Sequence, residues 1–316
     1  MQQKSLKLNF IMNAILTMSS FLFPLITFPY VSRVLLPVGT GRVSFANSVV
    51  TYFVMISQLG IPTYGIRACA VVRDDEEKLK KTVYELFLIN VVMSIFAYIV
   101  FFFALAYVPR LRADRTLFLI TGTLIFFNTI GVEWLYKALE QYTYITVRSI
   151  IFKFIALIAM FILVRNVDDY VIYGGISIFA ASASNVFNFI RLRKIVGKRK
   201  VTNLNFRQHF KPVFTFFIIS CATTIYTNLD NVMLGFIKDD VEVGYYNAAT
   251  KIKNILVSIV TSLGTVLMPR TSYYIQQGMM DEFYRLSKKA IKFVLLAASA
   301  MMIYFMIFAR EGVLFL

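Results

Sequence analysis

Four charged side chains sit inside apolar sequence: Arg33 in "YVSRVL", Lys153 in "IIFKFI", Asp230 in "TNLDNVML" and Lys251 in "AATKIK". Charges in such settings are costly to bury in hydrocarbon, so they pair, reach the interface or mark a substrate or ion pathway. Near them run two stripes of amides and hydroxyls. Ser44, Asn47, Ser48, Thr51 and Gln58 form the first; Asn247, Lys251, Asn254, Ser258 and Thr261 form the second. Three- and four-residue spacing places each set on one helix face, which either glues helices together or lines a water-filled cavity. The chemistry on offer is recognition of a polar or charged solute. Covalent catalysis has little to work with: the only histidine, His209, falls in a polar connector, where exposure is expected, so a triad would have to be built around it. Cys69 and Cys221 lie far apart without CxxC spacing, and no GxxxxGK[ST] loop occurs. No metal, disulfide framework, nucleotide or other cofactor is therefore expected.

The elements that must position these residues are membrane helices. Hydrophobic residues make up 58% of the 316, with 31 phenylalanines, and the mean hydropathy is +0.68. That is more than one soluble core needs, and the apolar runs recur along the chain instead of forming one cleavable leader. About 20 apolar residues cross a bilayer core, and nine such spans are expected: Phe10 to Leu36, Val43 to Ile61, Tyr84 to Val108, Leu117 to Leu139, Ile145 to Val164, Tyr170 to Ile190, Val213 to Ile237, Tyr245 to Met268 and Ala290 to Ala309. The terminal "EGVLFL" reads as the first turn of a truncated tenth. The fold class is thus all-α and polytopic.

The net charge of +16, from 33 Lys+Arg against 17 Asp+Glu, is explained by topology and needs no nucleic acid. About 23 of the cations fall at the N-terminus or by the connectors after even-numbered spans and about 8 with the odd-numbered connectors, which predicts a cytoplasmic N-terminus. The long polar connector from Arg191 to Lys211 divides the chain into an N-terminal six-span unit, 1–200, and a partial unit, 201–316. The two repeat one plan: "SRVLLP" matches "DNVMLGF", and aligning Gly41 with Gly244 makes the two polar stripes coincide.

The first span carries Pro24 and Pro29, followed by Pro37, Gly39 and Gly41, which predicts a bent helix and then a tight hairpin. Asp230 and Lys251 fall at one depth, about 10 Å inside, on consecutive spans. They form a structural ion pair, or Lys251 binds an anion, or Asp230 binds a coupling cation. Arg33 is able to snorkel to the outer headgroups. Lys153 should face the protein interior, since the run behind it is too short to span without it. Glu133 and Lys137 pair at i, i+4, with Trp134 at the interface.

Four stretches in order, "FPLITFPYVSRVL", "GTGRVSFANSVVTYFVMISQLGIPTYGIRACA", "EWLYKALEQYTYITVRSIIFKFIALIAMFILVRNVDDY" and "LDNVMLGFIKDDVEVGYYNAATKIKN", resemble the bacterial O-antigen and capsule repeat-unit flippases of the multidrug/oligosaccharidyl-lipid/polysaccharide exporter superfamily. The resemblance covers essentially the whole chain. It implies two six-helix lobes around a central cavity that opens to either side in turn and moves an undecaprenyl-diphosphate-linked oligosaccharide outward across the bacterial inner membrane. Under it, Lys153, Arg33 and Lys251 would supply charge to the diphosphate, while Asn47, Asn254 and Gln58 would contact sugar hydroxyls. Asp230 is the ion-coupling candidate. Partners implied are the lipid-linked glycan, the bilayer, and polysaccharide polymerase and chain-length proteins. The family has twelve to fourteen spans, so a chain that stops at the tenth has an incomplete second lobe, as a truncated product or a fragment. A small-molecule exporter of the same superfamily and an inactive fragment are the alternatives. A membrane glycosyltransferase is disfavoured because no paired catalytic carboxylates or large loop appear.

Overall fold

The computed structural model describes residues 6–197, 203–254, 277–308 and 310–311 and the single positions Val257, Leu267 and Tyr274. Among the described residues the chain is helical and has no strand. Six helical runs are long and apolar enough to cross a membrane, with Arg115–Gly131 a shorter seventh. It is a multi-pass membrane protein.

The first run, Leu6–Gln58, contains two arms, α1 (residues 6–35) and α2 (residues 37–58), separated by Leu36 at φ 56, ψ 177. Pro37 denies its predecessor the α-helical region. The chain folds back there: Thr27 and Asn47 line one cavity, whereas 20 residues of unbroken helix would hold them about 30 Å apart. The turn is therefore a single residue. Gly39 and Gly41, expected within it, instead lie in the first turns of α2, where other groups approach closely.

A second break, at Leu59 (φ 45) and Gly60 (φ 74), leads into α3 (Ile61–Val71). Asp75 then caps α4 (Glu76–Tyr107), its carboxylate accepting from the Lys78 amide at 3.1 Å. That bond holds the Asp75 carboxyl below the usual aspartate range. Along α4, Ile95, Ile99, Phe102 and Phe103 point outward, while Glu85, Asn90, Ser94 and Phe101 are buried. This is the pattern of a helix with lipid on one side and protein on the other. Among the inward polar groups Asn90 donates to the Ser57 carbonyl at 2.7 Å, and Ser94 bonds Thr129.

Next come α5 (Arg115–Gly131), a break at Val132 (φ 35), a short helix Glu133–Ala138, and α6 (Tyr142–Leu163). The following crossing, α7 (Val167–Arg193), passes through a π turn at Phe179–Ala183. Beyond the connector lie α8 (Arg207–Ile237), α9 (residues 240–254) and α10 (Met280–Ile307). Half of the eighth expected span, and all but the first residue of the tenth's stub, fall outside the described residues.

Helices α1 and α6 run parallel in register. Thr146 donates to the Met12 carbonyl at 2.9 Å, Lys153 to Ser19 at 2.9 Å and Tyr30 to the Val164 carbonyl at 2.7 Å, each pair 134 residues apart. Three apolar cores hold the bundle. One, around Leu86, Trp134 and Tyr136, includes Val213 of α8; another, around Phe45, Phe101 and Phe118, includes Val243 of α9. Trp134, expected at the interface, is only 4% exposed and packs on Gly65, because the break at Val132 turns its short helix toward α3.

Candidate functional site: a lysine-bearing cavity between two junctions

A cavity of about 640 Å³ opens beside α1. Asn13, Thr17, Ser20 and Thr27 of α1 line one side, Ser149 and Lys153 of α6 another, and Ser177, Ala180 and Ala181 a third. The π turn of α7 thus forms part of the wall; such turns often sit at functional positions. Asn47, Glu133, Lys137 and Lys251 also line it, among apolar residues such as Leu16, Phe23 and Met160.

Three of the residues singled out from sequence, Asn47, Lys153 and Lys251, come together here. Lys153 donates to Ser19 and to Ser20, at 2.9 and 3.0 Å. An ammonium has three donors, so one is without a partner among the described residues. The Lys251 ammonium stands 3.9 Å from the centre of the Phe28 ring, a cation–π contact that neutralises no charge. The Oδ1 of Asn47 is buried with no partner among the described residues.

Glu133 is the cavity's carboxylate, and cations hold it. Lys137 approaches to 2.8 Å, the i, i+4 pair expected from sequence, and the buried Arg148 to 3.9 Å. Arg148 also donates to the Ser184 carbonyl at 2.9 Å. Lysine charge therefore exceeds carboxylate charge in the lining, and the site suits an anion bearing hydroxyls. Arg148 and the stripe Asn13, Thr17, Ser20 were not singled out from sequence; the signal for the stripe was its i, i+4, i+7 spacing.

The other candidates lie elsewhere. Arg33 and Asn254 are exposed and do not line the cavity. Gln58 ends α2 with its Nε2 buried and unpartnered among the described residues. The Asp230–Lys251 pair is not formed. The Asp230 carboxylate accepts from Tyr246, one helix away, while Lys251 turns to Phe28. Equal depth does not require facing sides.

Two polar junctions flank the cavity. At the end where α1 turns into α2, the Asp240 carboxylate accepts from Arg110 and, at 3.3 Å, from the Arg42 Nε. Arg110 also donates to the Gly235 carbonyl at 2.9 Å. Here the repeat becomes visible. A Cβ on Gly41 would strike the Asp240 carbonyl, and one on Gly244 would strike the Pro37 carbonyl. Both members shift by the same 203 residues, so the two contacts are reciprocal, as a pseudo-two-fold axis demands.

At the opposite end His209 is not exposed as expected. It is 2% accessible on the first turns of α8, its Nε2 2.8 Å from Glu85 and its Nδ1 2.9 Å from the Tyr64 hydroxyl. Glu85, fully buried, also accepts from the Asn205 amide at 2.6 Å and from Gln208 at 3.0 Å. The connector ends in a helix that reaches back to the first unit, and that docking removes the histidine from solvent.

The described residues thus form an α-helical membrane bundle with a charged and hydroxyl-bearing cavity between its helices. The chain belongs to the polysaccharide biosynthesis protein family, whose model matches residues 6–275. It is 27% identical over 273 residues to a protein of Escherichia coli (strain K12) named "Putative O-antigen transporter", covering 85% of this chain and 65% of that one. A Shigella dysenteriae protein of the same name is 24% identical over 260 residues, covering 80% and 64%. The chain thus spans just under two thirds of the length of these relatives. No solved structure gives a significant match.

Proposed function

We propose that this chain forms the N-terminal lobe and part of the second lobe, divided near residue 200, of a flippase that carries undecaprenyl-diphosphate-linked oligosaccharide from the cytoplasmic to the outer leaflet. The observation that carries this reading is the cavity, where Lys153 and Lys251 face a space whose wall holds hydroxyls and the Asn47 carbonyl, unpartnered among the described residues. Lysine ammoniums complement a diphosphate; serine, threonine and asparagine complement sugar hydroxyls. The charge count orients the molecule with its N-terminus cytoplasmic and the α1/α2 turn outward in a bacterial inner membrane. Rocking about the pseudo-two-fold axis then exposes the cavity to each side in turn, with polysaccharide polymerase and chain-length proteins as downstream partners. Arg33, Gln58 and Asn254 are contacts for a moving substrate in other states of the cycle, and Asp230 is a candidate for ion coupling.

The test is complementation. In a strain lacking its own repeat-unit flippase, the chain, joined to the remaining C-terminal helices of its relatives where needed, should restore surface polysaccharide. Lys153→Ala and Lys251→Ala at normal abundance should each lower it by about tenfold or more, the loss expected when a charge-assisted contact to substrate is removed. Full surface polysaccharide from the double variant would overturn the reading. Resistance to cationic drugs without any polysaccharide would move the chain to the small-molecule exporters.

A further inference from the structure

Glu133, the carboxylate in the cavity lining, has two cations in reach, and they differ in what they still lack. Its Oε1 holds the Lys137 ammonium at 2.8 Å, with both side chains about a third exposed. Its Oε2 lies 3.9 Å from Nη2 of Arg148, a side chain only 7% exposed. That distance is within ion-pair range and beyond a hydrogen bond. Arg148 stands behind the wall and does not line the cavity. Its Nη1 is committed to the Ser184 carbonyl at 2.9 Å, while its Nε is buried without a partner among the described residues. Nε and Nη2 share one edge of the guanidinium, an edge that can grip a carboxylate through two parallel bonds. The open edge is thus the one that approaches Glu133.

We propose that Glu133 is a two-position switch: in the empty cavity it neutralises Lys137, and when a diphosphate enters it moves onto the open edge of Arg148 and releases Lys137 to the anion. The movement is small, from 3.9 Å to the roughly 2.8 Å of a charge-assisted bond. The proposal rests on the reading of the cavity as a diphosphate site and adds its regulation. Lys137 becomes a third substrate cation beside Lys153 and Lys251, which share the lining with it, and Arg148 is a positioning residue that does not touch substrate. The exchange is favoured only when an anion is present. Without one, moving the carboxylate leaves Lys137 bare inside the membrane, a costly state. With one, a half-exposed ion pair that contributes little gives way to an ammonium–phosphate contact and to a forked pair that satisfies the buried Nε. Selectivity follows, because an anion must outcompete a carboxylate already in place before the third lysine is free to bind it.

The experiment is a double-mutant cycle on the full chain in phosphatidylcholine nanodiscs, with inorganic pyrophosphate as the titrated probe. Glu133→Gln, which has no charge to displace, should bind pyrophosphate about tenfold more tightly than the parent chain. Arg148→Gln, which leaves the carboxylate on Lys137, should bind it about tenfold more weakly, and that loss should vanish when Glu133→Gln is also present. Equal losses from Arg148→Gln in both backgrounds would make Arg148 a structural or direct-contact residue and overturn the proposal. Where Arg148→Gln does not fold, difference infrared spectroscopy on the parent chain reads the same event. Pyrophosphate should shift a carboxylate stretch that is missing in Glu133→Gln, and an unmoved band would overturn the switch. Binding that Lys153→Ala weakens and Glu133→Gln leaves unchanged would overturn this proposal while the diphosphate reading stands. Pyrophosphate binding by neither the parent chain nor Glu133→Gln would overturn both.

Discussion

The two junctions that tie α8 and α9 to the first six crossings solve one problem with opposite chemistry. At the turn end the partners are arginine and aspartate, with side chains 13–35% exposed, set around glycines that let backbones touch. At the terminal end a fully buried glutamate meets a histidine 2% exposed, a tyrosine and a backbone amide. The first is built from ions still in reach of water, where solvation of each partner offsets much of the gain from pairing. The second has no such competitor, and each donor removed leaves the carboxylate short of a bond it cannot replace from solvent. The buried cluster should therefore be the harder of the two to part, and the glycine-lined ion cluster the easier.

The comparison is broken most severely at Glu85. Glu85→Ala should destabilise the bundle by about 3–5 kcal/mol, the cost of dismantling a buried polar cluster from its acceptor side. Reversible unfolding in mixed micelles would measure it, and a loss below that of Asp240→Ala would reverse the ranking of the two junctions.

Asp240→Ala comes next, at about 1–2 kcal/mol, because the Arg42 and Arg110 guanidiniums regain water when it is lost. Its larger effect should be on geometry. Hydrogen exchange of the amides in the second turn of α9 should be markedly faster in the variant than in the parent chain. Unchanged rates would show that glycine packing alone holds that end.

Salt separates the junctions more gently. Raising NaCl toward 1 M shortens the screening length to about 3 Å, which should quicken hydrogen exchange in the second turn of α9 while leaving that of the Asn205 amide unaltered. Equal responses at both ends would remove the distinction in exposure.

The smallest effect belongs to Asp75, the cap of α4. Its carboxyl is held low by the Lys78 amide, so the stabilisation is present above the ordinary aspartate range and lost as pH falls through the lowered value. Exchange at the start of α4, corrected for intrinsic rate, should quicken only in that acidic window. In Asp75→Ala the start of α4 should exchange faster already at neutral pH, with no further change on acidification.

Much of this molecule was legible in one dimension. The apolar runs, the cation bias between them, the Glu133–Lys137 pair and the break at Pro37 are local properties, settled by residues within a few positions of one another. Asn47, Lys153 and Lys251 were readable as inward-facing because a polar group among apolar neighbours has little choice in hydrocarbon. Even the pairing of Gly41 with Gly244 could be seen as a repeat.

What the sequence could not say is which faces meet. Depth along two helices is a count of residues, whereas rotation about their axes depends on every side chain packed between them. Asp230 and Lys251 therefore share a level and not a partner. His209 looked exposed because its neighbours in the chain are polar, yet the group that claims it, Glu85, is 124 positions away. Lys153 could be placed in the membrane from sequence, but its position in the cavity wall, bonded to Ser19 and Ser20, exists only once α1 lies parallel to α6, 134 residues apart in the chain and in contact throughout.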